Sequence, residues 1–268
     1  MQKDLPWLKH YEAGVPHGVE TPEITLQDLL PAAAGKYPQR TALVLTMAAA
    51  GRLFSYPVSY RRLERDVNRF AASLQELGVQ PGDRVALYLP NCPQFVIAYL
   101  AAIRAGAIVV PFNPRYSARE AEYQLKDCGA TVAVVLDRFF PLIDGVRGKT
   151  DLRHVVAARI KEYFPPLLWT LYSLTRERKL AKFRLGPGDL WFQDMLGEGT
   201  PRPVRVERED TAVLLYTGGT TGVSKGVELS HRNLLVNMEQ NRLWAGIRDG
   251  VEVSLAAVPL FHGFGLTC

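Results

Sequence analysis

The sequence predicts an α/β fold, layered αβα around a largely parallel sheet. Three observations predict it. Strand-like and helix-like blocks alternate along the chain, the connections between them are short, and the strand-like blocks read as buried. The composition agrees with a globular protein: 268 residues, 47% hydrophobic, 22% charged, with 22 glycines and 18 prolines. That balance excludes disorder and collagen, and the length suits one or two domains.

Residues 1–21 are polar and punctuated by proline, and read as an N-terminal arm. In Arg61–Leu77 the apolar residues Leu63, Val67, Phe70, Leu74 and Leu77 fall on one helical stripe, and Gly78 follows as a stop. Pro81-Gly-Asp is a turn, and Arg84–Leu89 a buried strand. Gln94–Arg104 suits a buried helix ended by Gly106, and Ala107–Pro111 a second strand. Ser117 and Glu120 have the capping-box spacing, so a helix opens there and runs to about Cys128-Gly129. Thr131–Leu136 is a third strand.

Residues 22–205 are therefore expected to form a first α/β subdomain. Within it 138–204 stands apart as a basic and apolar insertion: Tyr163–Leu174 is rich in aromatic and aliphatic residues, and Thr175–Arg184 carries five basic residues against one acid. Such a segment either packs its apolar face on its own domain or lies in a membrane interface. Pro201–Asp210 is a polar connector, and 206–268 the start of a second subdomain. Leu255–Cys268 is an apolar, strand-like run followed by a Gly-rich turn without a polar tail, the pattern expected of a truncated polypeptide.

Charge and cysteine usage narrow the function classes. The net charge of +5 is mild and its acids are interleaved, which argues against a nucleic-acid partner. Cys92, Cys128 and Cys268 are far apart with no CxxC pair. Neither a disulfide framework nor a zinc site is indicated, and the expected location is a reducing cytoplasm. The N-terminus lacks the apolar core of a signal peptide, and no apolar run approaches the roughly 20 residues needed to cross a bilayer.

Thr211–His231 carries the chemistry. An apolar strand, Ala212–Tyr216, enters nine residues with three glycines, four hydroxyls and one lysine, namely Thr217, Gly218, Gly219, Thr220, Thr221, Gly222, Val223, Ser224 and Lys225. Glycines let backbone amides converge on an anion, hydroxyls add neutral donors and the lysine adds a point charge, so the target is a polyphosphate. A Walker loop counted from Gly219 fails at two positions, with Ser224 where glycine belongs and Gly226 where the metal-binding hydroxyl belongs. Gly222-Val-Ser-Lys-Gly226 matches the hydrolase elbow literally, but Thr217–Thr221 separate it from the strand that should enter the turn directly.

Tyr216-Thr-Gly-Gly-Thr-Thr-Gly-Val-Ser-Lys-Gly-Val227 resembles the signature loop of the adenylate-forming superfamily. Further blocks are similar in order and spacing from about residue 25 to 268. Phe54–Leu63 with Val67–Ala72 resembles the early family helix. Gly78–Ala86, Asn91–Phe95 and Ala105–Pro114 resemble the second core block, and Pro259-Leu-Phe-His-Gly-Phe-Gly265 the block near the carboxylate substrate. The form of the loop and the Arg159–Leu167 segment look most like bacterial long-chain fatty acyl-CoA synthetases. One departure is Ser224, where many members have proline, whose fixed φ would preorganise the loop.

The resemblance implies the N-terminal portion of an adenylating enzyme. A fatty acid carboxylate attacks the α-phosphate of ATP, and CoA then displaces AMP, with Mg2+ and donors neutralising phosphate charge. It implies that Thr217–Gly222 and Ser224 wrap the phosphates, with Val223 in the same loop, and that Lys225 supplies catalytic charge. His262, with Gly263 and Phe264, would lie beside the substrate carboxylate; the alternative for His262 is a core histidine bonded to backbone. His231 follows an N-cap at Ser230, opening a helix over Arg232–Gln240, and reads as structural. No residue is assigned to a metal: the Mg2+ ligand, the ribose-binding aspartate and the C-terminal catalytic lysine of the family have no counterpart here, so this polypeptide alone is expected to lack full synthetase activity. Alternatives are a nucleotide-binding or self-associating fragment, such as a homodimer, an adenylating enzyme with another carboxylate substrate, and a serine hydrolase using Ser224.

Overall fold

The computed structural model describes residues 5–49, 51–175, 177, 182–217 and 224–267. The chain opens with helix α1 (Leu26–Lys36), whose Thr25 and Asp28 form a capping box, and then makes an antiparallel hairpin of β1 (Thr41–Ala49) and β2 (Arg52–Ser59). Ser59 caps α2 (Tyr60–Glu76) by accepting from the Arg62 amide, and the predicted stripe residues Leu63, Val67, Phe70 and Leu74 are buried. The block starting at Phe54 is thus half strand: its first six residues lie in β2, and the helix begins only after the Ser59 cap.

The remaining elements alternate. They are β3 (Arg84–Tyr88), α3 (Pro93–Arg104), β4 (Ile108–Pro111), α4 (Ala118–Cys128), β5 (Val132–Leu136), α5 (Phe140–Arg147), β6 (His154–Ala158), α6 (Pro166–Thr175), β7 (Leu190–Trp191), β8 (Thr211–Thr217), β9 (Lys225–Ser230), α7 (His231–Trp244) and α8 (Gly263–Thr267). Ser117 and Glu120 make the expected capping box of α4, and Gly129 ends it at φ 61°, a left-handed conformation that glycine adopts without strain. Ser230 caps α7 with Asn233.

Among the described residues one sheet has the order β7-β6-β5-β3-β4-β8-β9. Its neighbours run parallel except β9, which is antiparallel to β8. This is the expected largely parallel α/β architecture. Alternate residues of each central strand enter different cores. Val85, Leu87, Val132, Val134 and Val156 face the cluster shared with α1, α2 and α3. Ala86, Tyr88, Ala133, Val135 and Val155 face the cluster shared with α4 and α5. A sheet covered on both faces has near-continuous apolar strands, which is why β3, β4 and β5 are readable without alternation.

Two core elements, α5 and β6, fall inside the stretch 138–204 that composition sets apart. The apolar run at Leu255 is not a strand. No described strand pairs with it, and without a ladder the run stays irregular, with Val253 97% and Leu255 89% exposed. The expected Gly-rich turn is α8, a single helical turn in which the Leu266 amide donates to the His262 carbonyl.

Candidate functional site

In the parallel part of the sheet the segments that leave the strands share one edge, where ligands of such sheets collect. Asn91 follows β3 there, and Thr217 ends β8. Of the nine predicted loop residues, Gly218, Gly219, Thr220, Thr221, Gly222 and Val223 lie outside the described residues. Thr217, Ser224 and Lys225 bracket them. Thr217 and Lys225 are the last register pair of the β8–β9 hairpin, and both side chains are exposed. The Ser224 hydroxyl donates to the Thr217 carbonyl at 2.6 Å, across the mouth of the loop.

Helix α4 holds both sides of that mouth. The Tyr216 hydroxyl donates to Asp127 Oδ2 at 2.5 Å, and the Tyr123 hydroxyl to the Ser224 carbonyl at 2.9 Å. Burial pushes the Tyr216 phenol far above its ordinary range, and the bond to Asp127 adds to the shift, so the hydroxyl stays a donor at physiological pH. Gly226 lies under the ring: an added Cβ would come 3.2 Å from Tyr216 Cζ and 3.0 Å from Leu214 Cδ1.

His262 reaches the same neighbourhood through backbone contacts. Gly263 packs on β8 so closely that a Cβ would lie 2.9 Å from Leu215 Cδ2, and one on Gly265 would sit 2.2 Å from the Pro259 carbonyl oxygen. Gly263 seats α8 beside the strand that feeds the loop, and Gly265 lets the turn close on its own Pro259. His262 is exposed rather than a core histidine, and its Nδ1 accepts from the Phe264 amide at 3.4 Å. A neutral imidazole accepting at Nδ1 carries its proton at Nε2, which makes Nε2 a donor. Phe264 is exposed. His231, in contrast, is buried and accepts from the Leu26 amide at Nδ1, tying α7 to α1; burial lowers its pKa.

Asn91 secures the approach to His262. Its Nδ2 donates to the Ala256 and Val258 carbonyls, both at 2.9 Å, and its Oδ1 accepts from the Leu260 amide at 2.8 Å. Behind this segment an apolar cavity of about 220 Å³ opens between α1, α3 and α7, lined by Leu29, Phe95, Tyr99, Leu234, Leu260 and Leu266 among others. In the sequence Asn91 stands out only as part of a block, and Tyr123 and Asp127 carry no pattern of their own. Their partners are 89 to 169 residues away, so no local pattern points to them.

Among the described residues no group of three or more His, Cys, Asp or Glu could hold a metal ion, and no helix is long and apolar enough to cross a membrane. The described carboxylates thus offer Mg2+ no clustered site.

A segment of this composition, bracketed by Thr217 and Lys225 and bridged at its mouth by Ser224, agrees with a family comparison that covers most of the chain. The model of the AMP-binding enzyme family matches residues 30–268. The chain belongs to that family. Among its relatives, a Long-chain-fatty-acid--CoA ligase of Bacillus subtilis is 36% identical over 273 residues, which cover 100% of this chain and 47% of the relative. One of Escherichia coli O157:H7 is 37% identical over 272 residues, covering 97% of this chain and 47% of the relative. The chain thus spans about half the length of these relatives. A solved long-chain-fatty-acid-CoA ligase from Archaeoglobus fulgidus superposes with a TM-score of 0.72 at 26% identity, covering 96% of this chain and 47% of that one. An anthranilate CoA ligase in complex with anthranoyl-AMP superposes at 0.68 with 25% identity, covering 91% of this chain and 42% of that one.

Proposed function

We propose that this chain provides the polyphosphate-binding and carboxylate-approach elements of an ATP-dependent long-chain fatty acid–CoA ligase. The observation that carries the reading is the convergence, at one sheet edge, of the bracketed loop and the exposed His262 with an apolar cavity behind its segment. The relatives' names supply the substrate class.

The chemical problem is the approach of an anionic carboxylate to a polyanionic triphosphate. Fixed donors aimed at the phosphates lower that repulsion most where water is excluded. In this reading Thr217 through Lys225 surround the β- and γ-phosphates, with Lys225 as the cation. His262 donates from Nε2 to the carboxylate or the α-phosphate, and Gly263 and Phe264 flank the acyl group. The cavity lined by Leu260 and Leu266 receives apolar chain. Mg2+ would neutralise phosphate charge as the nucleotide's own counter-ion. CoA is the acceptor of the second step. A division near residue 205 into two subdomains and a cytoplasmic location belong to the same proposal.

The chain also fits contact with an anionic membrane surface through 163–184. Leu167, Trp169, Leu171 and Leu174 of α6 are exposed while Leu168 is buried, so most of the helix's apolar side chains are not used for packing. Lys182 and Arg184 are exposed nearby in sequence. Apolar anchors beside basic residues suit an interface in which a fatty substrate would be found.

The test is pyrophosphate–ATP exchange driven by a long-chain fatty acid, measured on a polypeptide that carries this chain together with the portion its relatives have beyond it. The reading expects exchange with palmitate or oleate and little with acetate. Exchange that ignores the fatty acid would contradict the substrate class.

A further inference from the structure

We propose that Tyr123 and Asp127 of α4, together with Ser224, form a clamp that fixes the two ends of the phosphate loop, making them positioning residues for ATP. The proposal rests on the polyphosphate reading of that loop. Tyr123 and Asp127 are four residues apart, so they share one helical face. Asp127 holds the incoming strand through the Tyr216 hydroxyl, and Tyr123 holds the outgoing end through the Ser224 carbonyl. Ser224 closes the third side with its hydroxyl on the Thr217 carbonyl.

The bonds lie where hairpin pairing stops. Register ends at Thr217 and Lys225, so Ser224 is beyond the ladder and has only these two contacts, among the hydrogen bonds of the described residues, to define its place. Helix α4 is a firm base for them: Ala121, Gln124, Leu125 and Cys128 are buried, and both ends are capped. Gly226 is part of the same arrangement, since an added Cβ would sit 3.2 Å from Tyr216 Cζ and push the ring by a few tenths of an ångström. A proline at 224 would restrict one φ; serine instead bridges the mouth with a hydroxyl. Either device spares the ligand part of the ordering cost that weakens binding.

The experiment compares the wild-type chain with Tyr123→Phe, Ser224→Ala and Ser224→Pro. It measures ATP and pyrophosphate affinity by calorimetry, amide exchange at Thr217 and Lys225 without nucleotide, and the melting midpoint. Losing one such hydrogen bond is expected to weaken ATP and pyrophosphate alike by about five-fold. Tyr123→Phe and Ser224→Ala should also speed exchange at both amides with the midpoint unchanged. Ser224→Pro keeps the carbonyl that Tyr123 uses and should stay within about two-fold of wild type in affinity. Unchanged exchange in both Tyr123→Phe and Ser224→Ala overturns the clamp, as does an affinity loss matched by a lower midpoint. A wild-type chain that binds no ATP overturns the phosphate reading, and exchange still decides the clamp.

Discussion

Replacing Asn91 by alanine removes all three hydrogen bonds that seat residues 256–260, which lead into His262. A net hydrogen bond is worth about 0.5–1.5 kcal/mol, and partial access of water to these carbonyls favours the lower half of that range. Three bonds then sum to about 2 kcal/mol of local stability, which corresponds to roughly 30-fold more frequent opening of the segment. Amide exchange of Leu260, and of His262, whose amide donates to the Pro259 carbonyl, should accelerate by about that factor. Exchange in the β3 and β5 strands should not change. Asn91→Asp separates the two sides of the amide: it keeps the acceptor for Leu260 but replaces the donors to Ala256 and Val258 with a charge facing two carbonyls. It should therefore open the segment at least as often as alanine does. In the longer polypeptide the alanine variant should lose fatty-acid-dependent exchange while retaining ATP affinity, because the loop is anchored separately on α4. Unaltered exchange at Leu260 and His262 would refute the role given to Asn91.

Other expectations concern burial, protonation and the surface. Asp189 has a fully buried side chain whose two oxygens each accept from Arg147 Nη1 at 2.9 Å and which also accepts from the Val155 and Gly186 amides. Asp189→Ala strands those donors and should cost about 3–5 kcal/mol, seen as a lower urea midpoint; a shift near zero would contradict the burial argument. Burial raises the Glu162 carboxyl from 4.5 to about 7, against a bond from Gln94 Nε2. Because the folded state binds this proton more tightly, the contribution is complete below 4.5 and is lost as pH rises through 7, up to about 3 kcal/mol. Glu162→Gln should abolish that loss, so its advantage over wild type in melting midpoint should be larger at pH 8 than at pH 5; parallel profiles would count against it. Changing Trp169 and Leu171 to serine should weaken sedimentation with phosphatidylglycerol vesicles by about ten-fold or more. Equal sedimentation of the variant and wild type would remove α6 from the membrane contact.

What the sequence reveals depends on how local the cause is. The capped helix at Ser117 and the buried stripe of α2 are local patterns, and both form where the spacing puts them. The hairpin β1–β2 is harder to read because it lies outside the main sheet, with Val44 and Leu53 exposed, so burial imposes little pattern on it. Strand β6 is masked by the unusual composition around it, although Val155, Val156 and Ala157 are fully buried. The loop declares its chemistry through glycines, hydroxyls and one lysine close together in sequence. Its anchors do not, since a tyrosine or asparagine that bonds a carbonyl more than 100 residues away looks like any surface residue of its helix or turn.

In the proposed function Thr217–Lys225, from the end of β8 to the first residue of β9, bind polyphosphate with Lys225 as the cation. Titration of ATP into the 268-residue chain, with the Lys225→Ala variant alongside, tests it most directly. The wild type should bind saturably, inorganic pyrophosphate should compete, and the variant should bind at least about ten-fold more weakly, as expected for loss of a charge-assisted contact. Equal affinity of the two chains, or ATP binding that pyrophosphate does not displace, would contradict it.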